Sequence, residues 1–200
     1  MPEDTLNLPL PLHLSMVLNV PPDRSDPASA DPAPRKLWAA LAGHIDGAGM
    51  GDRAALARLD PDALRPQAIG ALSRVLLKAG LSPEHWQPQA WPRWALIAHG
   101  MALAGHDGQR PLGEQLDRAR VSESRVHRLL IARGDAFRQL LPGLLRLLAS
   151  QGVAPNWHEL GELVLLEART DQPARARAES LRLDIARHYH AHQARRMTGR

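Results

Sequence analysis

From Arg35 onward the apolar residues recur at three- and four-residue intervals, and nowhere does a period of two persist long enough to make a strand. A chain patterned in this way must bury helix stripes against helix stripes. The composition agrees: 44% of residues are hydrophobic but only 4% aromatic, with one Phe and one Tyr, so the core is built from Leu, Ala, Val and Ile. The expected fold is all-α, a helical bundle in two portions with no β-sheet. Amphipathic or capped helices are predicted over Lys36–Asp46, from an Asp52 cap to Leu59, and over Pro66–Lys78. A Trp-rich connection (Trp86, Trp91, Trp94) leads into a helix ending at Ala104. Further helices are predicted over Leu112–Ala119, over Glu123–Ala132 with Ser122 as cap, and over Ala136–Ser150 with Asp135 as cap and a kink at Pro142. The last two cover Trp157–Ala168, with Asn156 as cap, and Pro173 to about Gln193.

The punctuation divides the chain. Residues 1–34 end in PPDRSDPASADPAP and read as a poorly ordered, Pro-rich extension or linker. The stretch GHDGQR at 105–110 separates a helical portion at 35–105 from a bundle at 111–193, leaving a tail at 194–200. There is no cysteine, so disulfides and thiolate metal sites are excluded, in keeping with a reducing cytoplasm. No run of eighteen apolar residues occurs, so no membrane partner is expected.

Charge is unevenly placed. Residues 1–34 hold five acids and Arg24; removing these from the chain's 25 bases and 21 acids leaves 24 against 16, a net of +8. From Arg118 to Arg146 seven arginines face only Glu123 and Asp135, and from Gln172 to Arg200 seven face only Glu179 and Asp184. Two such segments point to a polyanion partner. Arg125 and Arg128 lie three apart on one helix face, and Arg175 and Arg182 are nearly eclipsed on the last helix. Scattered helix-surface arginines suit phosphate contacts, which need only positive donors, rather than base reading.

Three other segments carry residues with known chemistries. His106-Asp107, with His99 upstream, resembles the doublet of helical metal-dependent phosphohydrolases, but it sits in a Gly-flanked loop. His188 and His192 share a helix face, yet no third ligand accompanies them. No metal or other cofactor is expected, and no nucleophile motif is present. Gln115–Ala132 imitates a helix-turn-helix DNA-binding regulator, with Val126 and Leu129 inward and Arg125 and Arg128 outward. Its turn departs from the pattern, because Arg120 occupies the position where glycine eases a positive φ.

The segments LWAALAGH, GDRAALARLDPDAL, PLGEQLDRARVSESRVHRLLIARGDAFRQLLPGLLRLLASQGVAPNW and SLRLDIARHYH, in that order, resemble the CasB family. Its members are the small subunit of the type I-E CRISPR Cascade complex. The resemblance covers residues 35–190 and is densest over 111–157. It implies a non-catalytic, all-α protein present in two copies beside crRNA-containing backbone and large subunits. It also implies that basic side chains hold the displaced non-target DNA strand and stabilise the R-loop, while guide pairing carries the sequence information. By motif position, the resemblance assigns DNA contact to Arg53, Arg58, Arg93, Arg125, Arg128 and Arg146, and further to Arg175 and Arg177.

Overall fold

In a computed structural model, residues 35–199 are described; the expectations for the Pro-rich extension at 1–34 lie outside them. Among the described residues there are nine α-helices and no strand. They are α1 (Arg35–Asp46), α2 (Met50–Ala57), α3 (Pro66–Lys78), α4 (Trp91–Ala104), α5 (Leu112–Arg118), α6 (Glu123–Ile131), α7 (Gly134–Ser150), α8 (Trp157–Leu166) and α9 (Gln172–Thr198). Two short 3-10 turns, Pro83–His85 and Pro88–Ala90, carry the chain from α3 to α4.

The periodicity is realised as the core. Leu72, Val75 and Leu76 of α3, Phe137, Leu141, Leu145 and Leu148 of α7, and Leu181, Ile185 and Tyr189 of α9 are all buried. Helix α4 is buried all round from Trp94 to Met101, because α1, α2, α7 and α8 pack about it. The Trp-rich segment is a stacked set: Trp94 lies 5.9 Å from Trp38 and 5.3 Å from Trp86, centroid to centroid. One hydrophobic cluster runs from Trp38 to Tyr189 across both halves of the chain.

The helix ends depart from expectation in instructive ways. Asn156 caps α8, accepting from the His158 amide at 2.9 Å. Asp52 does not cap α2. The helix already begins at Met50, and the carboxylate instead accepts from Arg74 of α3 at 2.9 Å, since a charge-assisted bond outcompetes a neutral amide. Ser122 spends its hydroxyl on Ser124 Oγ at 3.2 Å, and Asp135 stands in the first turn of α7, which starts at Gly134. Asp171 caps α9 through the Ala174 amide at 3.0 Å. Helix α7 continues through Pro142 to Ser150, and α9 continues past Gln193 to Thr198, where a tail was expected.

That extra length of α9 has a cause. Asp117 of α5 is buried and accepts two bonds from Arg196, at 3.1 and 3.0 Å, and one from His192 Nδ1 at 2.7 Å. Burial pushes the Asp117 carboxyl up, but Arg196 and His192 more than offset this and hold it below the ordinary aspartate range. A carboxyl depressed on folding stabilises the fold above its unfolded pKa, about 4, and loses that contribution as pH falls through the folded value. Thermal melts between pH 7 and pH 3 should therefore show an acid-side loss that Asp117→Asn reduces. The variant should also be less stable at pH 7. Identical pH profiles for wild type and variant would dismiss the clamp as a stabilising element.

Candidate nucleic-acid interface

Arginines in a helical protein serve either as internal ties or as donors to something outside, and partner geometry sorts them. Arg177 is tied: it chelates Glu162 at 2.7 and 3.0 Å, and that contact raises its pKa. Arg182, buried, bonds Glu167 at 2.5 Å, Glu179 at 3.2 Å and the Ala132 carbonyl at 3.1 Å, with its guanidinium 5.9 Å above the Phe137 ring. Arg138 is tied to Asp62, which raises its pKa. By contrast Arg58, Arg125, Arg128, Arg146 and Arg175 are exposed and have no ion pair among the described residues. Arg53 makes only a long 3.9 Å contact to Asp46 and stays 53% exposed, so its charge is largely available. Arg93 donates to the Gln89 carbonyl at 3.0 Å.

Two of these arginines line one groove. Arg58, at the C-terminal end of α2, and Arg146, on α7, line an open trough of about 390 Å³ with Leu59, Asp60, Leu96, His99 and Pro142. Their placement follows from the core beneath. Leu56 and Leu59 are buried on either side of Arg58, and Leu145 and Leu148 are buried around Arg146, which leaves each guanidinium outward. His99 of α4 fixes the end of α2, its Nδ1 lying 3.2 Å from the Leu56 carbonyl. The Asp62–Arg138 ion pair also lines this trough and forms one wall of a second one, of about 280 Å³, where Arg93 stands. Asp62 is neutralised by that pair. The net charge facing solvent between α2 and α7 is therefore set by Arg58 and Arg146 against Asp60.

Arg125 and Arg128, on α6, border a different face of α7. Between α6 and α7 lies a groove of about 270 Å³ floored by Leu129, Leu140, Leu144 and Leu147, with the two guanidiniums at its rim. This groove was not anticipated. Its signal was a second apolar stripe on α7, at positions 140, 144 and 147, beside the buried stripe at 137, 141, 145 and 148. Arg53 and Arg175 line neither groove.

The His–Asp doublet is spent on the loop. His106 Nδ1 accepts from the Trp157 amide at 3.3 Å, burial lowers its pKa, and its ring stands edge-on to His158 at 5.0 Å. Burial raises the Asp107 carboxyl, but bonds from the Gln109 amide, Arg110 and Gln115 bring it below the ordinary range. His192 is engaged by Asp117, as described above. Among the described residues no group of three or more His, Asp or Glu is placed to hold a metal ion.

Residues 52–190 match the family model described as CRISPR-associated protein Cse2. No curated protein and no solved structure matches the chain.

Proposed function

The chain belongs to the CRISPR-associated Cse2 family, the CasB small subunits of the type I-E Cascade complex, and on that footing we propose that it holds the displaced non-target DNA strand by its phosphates. The observation that carries this reading is that two exposed arginines without an ion pair among the described residues, Arg58 and Arg146, line one trough between α2 and α7. Phosphates are satisfied by such donors without regard to sequence, and each one neutralised adds close to one unit of salt dependence. Arg53, Arg93 and Arg175 add positive charge elsewhere on the surface for the same strand, whereas Arg125 and Arg128 stand at the separate groove between α6 and α7. Arg177 contributes as a tie to Glu162 that leaves part of its charge outward. The partners are the DNA strand, a second copy of the chain, and the crRNA-bearing backbone and large subunits. In this role the small subunit tips an R-loop equilibrium that is nearly balanced, because heteroduplex gained and duplex lost are similar in stability.

The reading is tested by titrating the full-length chain with unrelated single-stranded oligonucleotides across a salt series. Affinities should agree between sequences and fall steeply as salt rises. A preference for one sequence, or a flat salt response, would contradict phosphate holding. The role is non-catalytic, so labelled DNA and RNA should survive incubation with the protein in Mg²⁺, Mn²⁺ or Zn²⁺. Asp107→Ala should lower thermal stability by a few degrees, through loss of its loop bonds, with no change in that survival. Cleavage by the wild type that Asp107→Ala abolishes would instead make the doublet a catalytic site.

A further inference from the structure

The one feature of the sequence that phosphate holding does not absorb is the helix-turn-helix pattern at 115–132. The turn has the geometry the motif needs, although glycine is missing. Arg120 adopts φ 57°, the only positive φ at a non-glycine position among the described residues. Its amide bonds the Asp117 carbonyl at 2.9 Å, and the Val121 amide reaches back to the Leu116 carbonyl at 3.0 Å. Those two bonds are the closing pair of a helix terminated by a left-handed residue. A single arginine in this conformation costs about 1 kcal/mol or more, so other contacts must hold it. Tyr189 supplies one, its hydroxyl donating to the Val121 carbonyl at 2.8 Å, and the Asp117 clamp fixes α5 just before the turn.

Burial follows the same motif. Leu116 and Ala119 of the first helix end, Val121 of the turn, and Val126 and Leu129 of α6 are all buried, forming one seam between the two helices. α9 backs this unit from the inside. The opposite face of α6 is bare: Ser124, His127, Arg128 and Ile131 fall at i, i+3, i+4 and i+7 and are all exposed, Ile131 by 58%. Around that stripe Arg120, Arg125 and Arg128 carry no ion pair among the described residues, against the single carboxylate of Glu123.

We propose that α5, the turn at Arg120 and α6 form a helix-turn-helix unit that docks on duplex DNA, with Ser124, His127 and Arg128 directed into the major groove. A helix of this width fits that groove, where a guanidinium bonds guanine edges, hydroxyl and imidazole groups bond bases or phosphates, and an aliphatic end meets thymine methyls. Arg120 and Arg125, at the flanks, reach phosphates. The duplex site does not depend on strand holding by the trough, because α6 lies against another face of α7.

The test uses the full-length chain, a blunt duplex of about two helical turns and a single strand of the same length, read by fluorescence anisotropy at fixed salt. The His127→Ala/Arg128→Ala variant should weaken duplex binding about tenfold and lower its salt slope by about one unit, leaving single-strand affinity within about twofold. Both side chains are exposed, so its far-UV spectrum and thermal midpoint should match the wild type. The Arg58→Ala/Arg146→Ala variant should do the reverse. Equal losses on both nucleic acids in the α6 variant would show one shared strand surface and overturn the duplex site. Unchanged duplex binding would overturn it too, leaving the α6 stripe to a protein partner. Failure of the trough variant to affect the single strand would refute strand holding and leave the duplex result standing.

Discussion

Arg58→Ala combined with Arg146→Ala is expected to reduce R-loop yield in the reconstituted complex roughly thirtyfold at subsaturating protein and physiological salt, for every protospacer alike. Each side chain offers a charge-assisted contact to a phosphate worth about 1 kcal/mol at an exposed site, and two such losses combine to that factor. The salt slope of DNA binding should shrink by about two units, so low salt should restore part of the yield. Folding should be untouched, since Leu56, Leu59, Leu145 and Leu148 hold the core beneath these positions. Lysine at both positions should retain most of the activity, because a phosphate accepts a point charge as well as a fork. Loading of crRNA should not change. Wild-type yield from the double alanine variant would remove the trough from the DNA path. A loss limited to one protospacer would show that bases, not phosphates, are being read.

Among the described glycines, Gly113 should be the least tolerant of alanine. A methyl group there would overlap the Ile185 carbonyl oxygen and lie 2.6 Å from the Tyr189 amide, both backbone atoms of α9. Backbone cannot rotate aside as a side chain does, so α5 and α9 must separate, which disturbs the Tyr189–Val121 bond and the Asp117 clamp together. Alanine favours helix over glycine by about 1 kcal/mol, but the overlap outweighs it, with a net loss of about 3 kcal/mol or more. The thermal midpoint should fall by roughly 6–12 °C. Gly143, whose added methyl would meet nothing within 4 Å, provides the control: alanine there should be neutral or stabilising. A midpoint for Gly113→Ala at or above the wild type would mean the two helices are not in close contact.

What could be read from the chain alone follows the range of each interaction. Helices and their buried stripes are short-range patterns, so Leu72, Val75 and Leu76, or Leu181, Ile185 and Tyr189, declare their burial through spacing alone. Ion pairs are not local. Arg175 and Arg177 look alike in sequence, yet only Arg177 finds a carboxylate, Glu162, because it points across to α8. Asp52 resembled a cap until Arg74 came from another helix. Likewise Arg58 and Arg146 qualified as basic residues individually, but nothing in the linear order reveals that they face one trough. Arg120 is the sharpest case. Local preference argued against a left-handed turn there, and Tyr189 and Asp117, brought in by tertiary packing, hold the conformation regardless.

The dependence of α5 on α9 also fixes an order of events during synthesis. The surface of α5 around Gly113, the Asp117 carboxylate and the Val121 carbonyl find their partners 68 to 79 residues later in the chain, at Tyr189, His192 and Arg196. Translation at about 5–20 residues per second leaves that surface bare for several seconds after it leaves the ribosome. During this interval Asp117 stays hydrated and ionised, which disfavours premature burial of the seam against the wrong helix. The α5–turn–α6 segment thus acquires its final shape only when α9 emerges, so a nascent chain cannot present a finished α6 face before α9 has left the ribosome.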